Sequence, residues 1–208
     1  LTGFNDPRAA DQMVEQLGAP NDRLREVAYG FLEHFPDKSL TARLAGALDK
    51  ETGEFVRPAL VRALAAVGDD PKVRDLLLTD VMRGTDYFRS TVIEALGDYR
   101  QAYAVPRLTA VVKLEGPLQD DAAIALGKIG DKRSLEVLAS LQRTGSRVLQ
   151  PTVAAAICLL GVNCSSHLGY LQKILTFAEG NPGYQELVRA AAFGLDAVAA
   201  KGNPEALQ

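Results

Sequence analysis

Five polar residues recur at one place in this chain: Arg25, Arg57, Arg89, Gln119 and Gln150 each stand seven positions before a leucine or isoleucine. A guanidinium suits carboxylate and phosphate alike, so the three arginines could hold an acidic peptide or a phosphate-bearing ligand. A structural role is the preferred reading. An arginine near a helix start opposes the helix dipole, so its recurrence calls for a partner in a neighbouring repeat or among the loop aspartates Asp37, Asp69 and Asp98. More positive charge lies at Arg43, Arg62, Arg83 and Arg100, interrupted by Glu94 and Asp120-Asp121. Mixed sign of this kind suits protein recognition better than a nucleic-acid duplex. Tyr87, Tyr99 and Tyr103 are read as surface anchors, since a tyrosine combines a large contact area with a polar hydroxyl. Phe88 is read as packing between repeats.

Catalytic chemistry has fewer footholds. His34 and His167 are the two histidines, and neither belongs to a cluster with metal-ligand spacing. Cys164 and His167 are a nucleophile and a base by type, but no orienting acid or oxyanion donor accompanies them. Cys158 and Cys164 are read as two free thiols, one buried in an apolar helix and one in the loop after it. A disulfide across that short turn is the alternative. Gly127 and Gly130 serve a helix and its terminus, because no strand precedes them as a phosphate loop would require. No catalytic residue, metal or cofactor is therefore assigned, and the expectation is a protein that is not an enzyme.

The elements that must position these residues follow from a repeat. Aligned on Leu32, Leu64, Leu96, Leu126, Ile157 and Leu195, the chain shows successive offsets of 32, 32, 30, 31 and 38 residues. A period near 31 that cannot bury its apolar face alone implies stacked units. Each unit reads as two helices. The second of each pair, the B helices, are predicted over 22–35, 55–67, 87–96, 118–129, 148–160 and 184–200. Twelve residues beyond the marker come Leu44, Leu76, Leu108 and Leu138, inside the next first, or A, helix. The A helices are predicted over 7–17, 39–49, 71–83, 104–113, 134–142 and 167–177. Turns such as Gly68-Asp69-Asp70-Pro71 and Gly130-Asp131 stop one helix and cap the next. Asn163-Cys164-Ser165-Ser166 and Glu179-Gly180-Asn181-Pro182-Gly183 lengthen the last two turns, and Gly202-Asn203-Pro204 reads as a helix stop.

The segment Gln119-Asp120-Asp121-Ala122-Ala123-Ile124-Ala125-Leu126-Gly127-Lys128-Ile129-Gly130-Asp131 carries a family resemblance. It is similar to the HEAT-repeat superfamily, specifically the short bacterial HEAT-like repeats also seen in phycobilin lyase subunits. The family form usually begins this helix with Val-Arg; Val56-Arg57 preserves that start and Leu118-Gln119 replaces it. The resemblance runs from Asp6-Pro7-Arg8 to the last helix. It implies an all-α, right-handed α-solenoid of about six HEAT-like helix pairs, with B helices lining the concave side. It does not imply lyase activity, because unrelated scaffold proteins share the repeat.

Composition bounds the function. The chain has 208 residues, 47% hydrophobic and 24% charged, and its net charge of −3 argues against an extended phosphate-neutralising footprint. No uncharged apolar run is long enough for a membrane span. No basic leader or apolar signal core opens the chain, so a cytoplasmic location is expected. Leu1 stands where an initiator Met is expected, which reads as a piece of a longer protein or a processed one. The expectation is a single HEAT-like repeat domain over 1–208, binding a protein or acidic peptide on its concave surface, with homo-oligomerisation left open. The alternatives are a lyase-like or chaperone subunit holding a prosthetic group or client, and a DNA-binding HEAT-like glycosylase.

Overall fold

The computed structural model describes residues 7–178 and 180–202. Among them stand twelve α-helices and no strand. The A helices are α1 (Pro7–Gln16), α3 (Thr41–Leu48), α5 (Pro71–Asp80), α7 (Val105–Val112), α9 (Leu135–Thr144) and α11 (Cys164–Ala178). The B helices are α2 (Asp22–His34), α4 (Val56–Val67), α6 (Asp86–Asp98), α8 (Gln119–Ile129), α10 (Leu149–Leu159) and α12 (Gln185–Ala200). The predicted pairs are all present. Asp6, Glu179 and Asn203-Pro204 lie outside the described residues.

Polar residues at the turns start the helices. Asn21 accepts hydrogen bonds from the backbone N–H groups of Arg23 and Leu24. Asp70 accepts from Lys72 and Val73, with Pro71 pre-set for the first helical turn. Asp37 and Asp131 instead cap short 3-10 turns, Lys38–Leu40 and Lys132–Ser134, that lead into α3 and α9. A third such turn, Ala102–Ala104, leads into α7. Since α5 starts directly on Pro71, its phase differs: a 3-10 turn winds about 120° per residue instead of about 100°. Leu77 rather than the predicted Leu76 is consequently the fully buried leucine of α5, on the same face as the fully buried Val73.

The helices form two compact units, one running up to Ala95 and the other from Leu96 onward. In the first, α2 packs on α4, backed by α1 and α3 respectively. In the second, α10 lies between α8 and α12, and each of these B helices packs against its own A helix. The marker residues Leu32, Leu64, Leu96, Leu126 and Ile157 are all buried. Burying such a side chain contributes about 1.5–3 kcal/mol relative to exposure. Small residues set how closely the helices approach. A Cβ added to Gly97 would sit 2.7 Å from Ala125 Cα, and one on Gly127 would sit 2.8 Å from Ala156 Cα.

Two readings of the sequence near residue 160 are corrected. Asn163 to Ser166 is not a lengthened loop, because the Asn163 carbonyl accepts from Ser166 and His167 and helix α11 starts at Cys164. Cys158 and Cys164 are not free thiols: they are joined as a disulfide, their Cα atoms 4.2 Å apart. Positive φ at Gly161 and Asn163 reverses the chain and brings the two residues together. That pairing also leaves no thiol at Cys164 for His167 to activate. No described helix is long and apolar enough to cross a membrane.

Candidate functional site

The recurring polar position proves to have a local partner in most repeats. Arg89 donates from Nε to the Val81 carbonyl at 3.0 Å, Gln119 from Nε2 to Val112 at 2.9 Å, and Gln150 from Nε2 to Gly145 at 3.0 Å. Arg25 donates to the Ala19 carbonyl at 2.8 Å. Each of these carbonyls lies at or just beyond the end of the preceding A helix, where backbone acceptors have no intrahelical donor. Arg and Gln interchange because both deliver an N–H group there. The loop aspartates have other partners: Asp69 pairs with Arg74, Asp98 with Lys128, and Asp37 caps its own turn.

Arg57 departs from this pattern. Its Nη2 donates to Asp80 Oδ2 at 3.1 Å, and its guanidinium lies 4.2 Å from the centre of the Phe88 ring. Its Nε is buried with no hydrogen-bond partner among the described residues. A buried donor left in that state costs about 1–3 kcal/mol, so in this ladder of recurring polar residues Arg57 is the member with an unsatisfied N–H group. Phe88 is buried, in keeping with a packing role, and it forms the floor on which the arginine rests.

Arg57 lines a cleft of about 630 Å³ in the first unit. The loop from Asp49 to Glu54 forms one side, and Arg83, Gly84 and Tyr87 another. Two of its four carboxylates are already committed. Glu51 binds Arg25 through both oxygens, at 2.8 and 2.9 Å, and the Arg25 hydrogen bond holds its carboxyl below the ordinary glutamate range. Burial pushes the Asp80 carboxyl above the ordinary aspartate range and outweighs the opposing field of Arg57. The remaining Asp49, Glu54 and Arg83 give the mouth both signs of charge. Tyr87 is 55% exposed at this mouth.

Among the predicted site residues, the structure therefore brings Arg57 and Tyr87 together. Arg25 reaches the same loop through Glu51. Arg89, Gln119 and Gln150 hold their own repeats, while Tyr99 and Tyr103 are half-buried in the second unit. Asp80 was not singled out from the sequence. Its signal was an acidic residue closing α5, where the helix dipole disfavours negative charge and a cation must compensate. His34 Nδ1 lies 2.8 Å from the Gly30 carbonyl, and burial lowers the pKa of His167. No group of three metal-binding side chains occurs among the described residues.

Comparison with known proteins bears on this geometry. Residues 118–144, which span α8 and α9, match the PBS lyase HEAT-like repeat family. No curated protein matches the chain. Among solved structures, the complex of CpcE and CpcF of phycocyanin lyase from Nostoc sp. PCC7120 is similar, with a TM-score of 0.67 at 20% identity, over 95% of this chain and 80% of that one. This likeness corrects the expectation of a protein that is not an enzyme. A lyase complex is built on the same fold, so a helical solenoid gives no argument against catalysis. Residues 118–144 thus match a PBS lyase HEAT-like repeat, and the helix pairs around them have the HEAT-like solenoid fold seen in that complex.

Proposed function

We propose that the protein is a lyase-like or chaperone subunit that works with a protein partner and holds a client or the prosthetic group the client receives. The observation that carries this reading is the fold shared with a phycocyanin lyase complex along 95% of the chain. The cleft at Arg57 supports it chemically. Arg57 presents a partly exposed guanidinium with a single ion-pair partner among the described residues, Arg83 adds a second guanidinium, and Tyr87 presents an exposed ring beside them. Carboxylate-bearing conjugated molecules and acidic peptide segments both match that set, because guanidinium groups take the acid and the ring takes the flat or apolar part.

The other residues take supporting parts in this proposal. Arg25, Arg89, Gln119 and Gln150 hold the repeats that frame the surface, and Tyr99 and Tyr103 supply further partner contacts in the second unit. Native purification from the source cell, followed by absorption spectroscopy and mass spectrometry, tests the reading. A bound chromophore or its acceptor protein is the expected outcome. Recovery of the chain with neither a small molecule nor a client, under conditions that preserve weak complexes, would overturn it.

A further inference from the structure

The ends of α6, α8 and α12 line a second, smaller pocket of about 170 Å³, open to solvent, in the unit from Leu96 onward. Its lining carries three cations, Arg100, Lys128 and Lys201, against one carboxylate, Asp98. Lys128 Nζ donates to Asp98 Oδ1 at 2.7 Å, and Lys201 Nζ donates to the Leu159 carbonyl. Among the described residues, the Arg100 guanidinium makes neither a hydrogen bond nor an ion pair, and the pKa of Lys201 is lowered by burial and, to a smaller extent, by the nearby charge of Arg100. Among the described residues, Arg100 and Lys201, both exposed, are thus left without a side-chain counter-charge.

The backbone at Arg100 is the second observation. Four residues after the marker, the chain ends its B helix at a positive φ at Gly68, Gly130 and Gly161, of 101°, 82° and 78°. At the equivalent place after Leu96 stands Arg100, with φ of 51°. A side chain in this conformation costs about 1 kcal/mol relative to glycine. The turn itself does not need the arginine, since it is closed by backbone bonds from Arg100 N–H to Gly97 and from Gln101 N–H to Leu96. Those bonds satisfy the Gly97 and Leu96 carbonyls, and the partial negative charge that remains at the helix C-termini is opposed by the three cations.

We propose that Arg100, Lys128 and Lys201 form a phosphate-binding site. A phosphate dianion matches the net charge of the cavity, whereas one carboxylate would leave a cation unmatched. The guanidinium supplies a planar pair of donors and each ammonium a point charge, the combination that phosphoryl groups favour. The volume admits a phosphate or the phosphoryl end of a larger ligand, and is too small to enclose a whole nucleotide. This site lies in a different unit from the Arg57 cleft, so the two proposals stand or fall separately.

Titration of the full chain with inorganic phosphate, followed by amide chemical shifts at constant ionic strength, tests the site. Saturable shifts are expected at Gly97, Arg100, Lys128 and Lys201, with acetate giving no comparable response. Phosphoserine in a parallel titration separates the sources: tighter binding than inorganic phosphate identifies a phosphoryl group on a larger ligand, and weaker binding identifies the free ion. Arg100→Gly removes the guanidinium while suiting the backbone, so its thermal midpoint should be unchanged or higher. Its phosphate affinity should nevertheless fall about tenfold, the loss of one charge-assisted contact. Wild-type shifts that fail to saturate or are matched by acetate, or an Arg100→Gly variant that binds phosphate as well as wild type, would overturn the proposal.

Discussion

Arg25 and Glu51 form a two-point ion pair across 26 residues of sequence, Nε to Oε2 at 2.8 Å and Nη2 to Oε1 at 2.9 Å. The carboxylate is almost wholly buried, and it also accepts the Gly53 N–H that shapes the loop at the mouth of the cleft. Replacing Arg25 by Ala leaves a buried charge without its partner, which typically costs about 3–5 kcal/mol. Urea unfolding should show that loss at neutral pH. The sign with pH follows from the lowered Glu51 pKa: its stabilisation is fully present above the ordinary value of about 4.5 and is lost as pH falls through the folded value. In Arg25→Ala this acid-dependent loss should disappear.

Asp80 has the opposite sign. Burial raises its pKa above the ordinary 3.8, so the folded state binds the proton more tightly than the unfolded chain does. Stability from this group is greatest at low pH and falls as pH rises from about 3.8 through the folded value. Asp80→Asn should remove that fall. A wild-type advantage over Asp80→Asn that grows with pH across this range would show that the ion pair with Arg57, rather than burial, governs the carboxyl.

The glycines of the helix crossings should separate into two classes. Gly97→Ala and Gly127→Ala place a methyl against the backbone of the neighbouring helix and should cost about 1–3 kcal/mol despite better helix propensity. Gly30→Ala and Gly46→Ala meet nothing within 4 Å and should stabilise by about 0.5–1 kcal/mol. Thermal or chemical unfolding of the four variants gives the comparison.

The ladder residues should follow hydrogen-bond donation rather than charge. Gln119→Arg restores an N–H group for the Val112 carbonyl and should be nearly neutral. Gln119→Glu sets an acceptor against an acceptor and should lose about 1–3 kcal/mol, although a carboxylate near a helix start would otherwise gain about 0.3–1 kcal/mol. Equal stability of the two variants would refute this role.

The helix pairs were legible in the sequence because marker leucines, caps and stop residues recur at fixed offsets, and local physics alone produces each of them. What the ladder residues touch was not legible in the same way. Arg25, Arg57 and Arg89 invited a charge-based reading, yet the exchange to Gln119 and Gln150 already indicated that the shared requirement is an N–H donor. The Asp80 partnership joins residues 23 positions apart and depends on how α5 meets α4, which no local pattern states. The disulfide was hidden for a related reason. Its formation depends on two departures into positive φ separated by one residue, at Gly161 and Asn163, and only the first has a sequence signal.

The central claim is that the cleft holding Arg57 and Tyr87 carries a client or its prosthetic group. Its most direct test is native purification of wild type and Tyr87→Ala side by side, quantifying the bound small molecule and client per chain. Tyr87 is exposed, so its removal should leave helicity and the unfolding midpoint unchanged. Wild type should carry a measurable load that falls about tenfold or more in the variant, as expected for an aromatic anchor worth about 1.4 kcal/mol or above. Equal loads on the two proteins would contradict it.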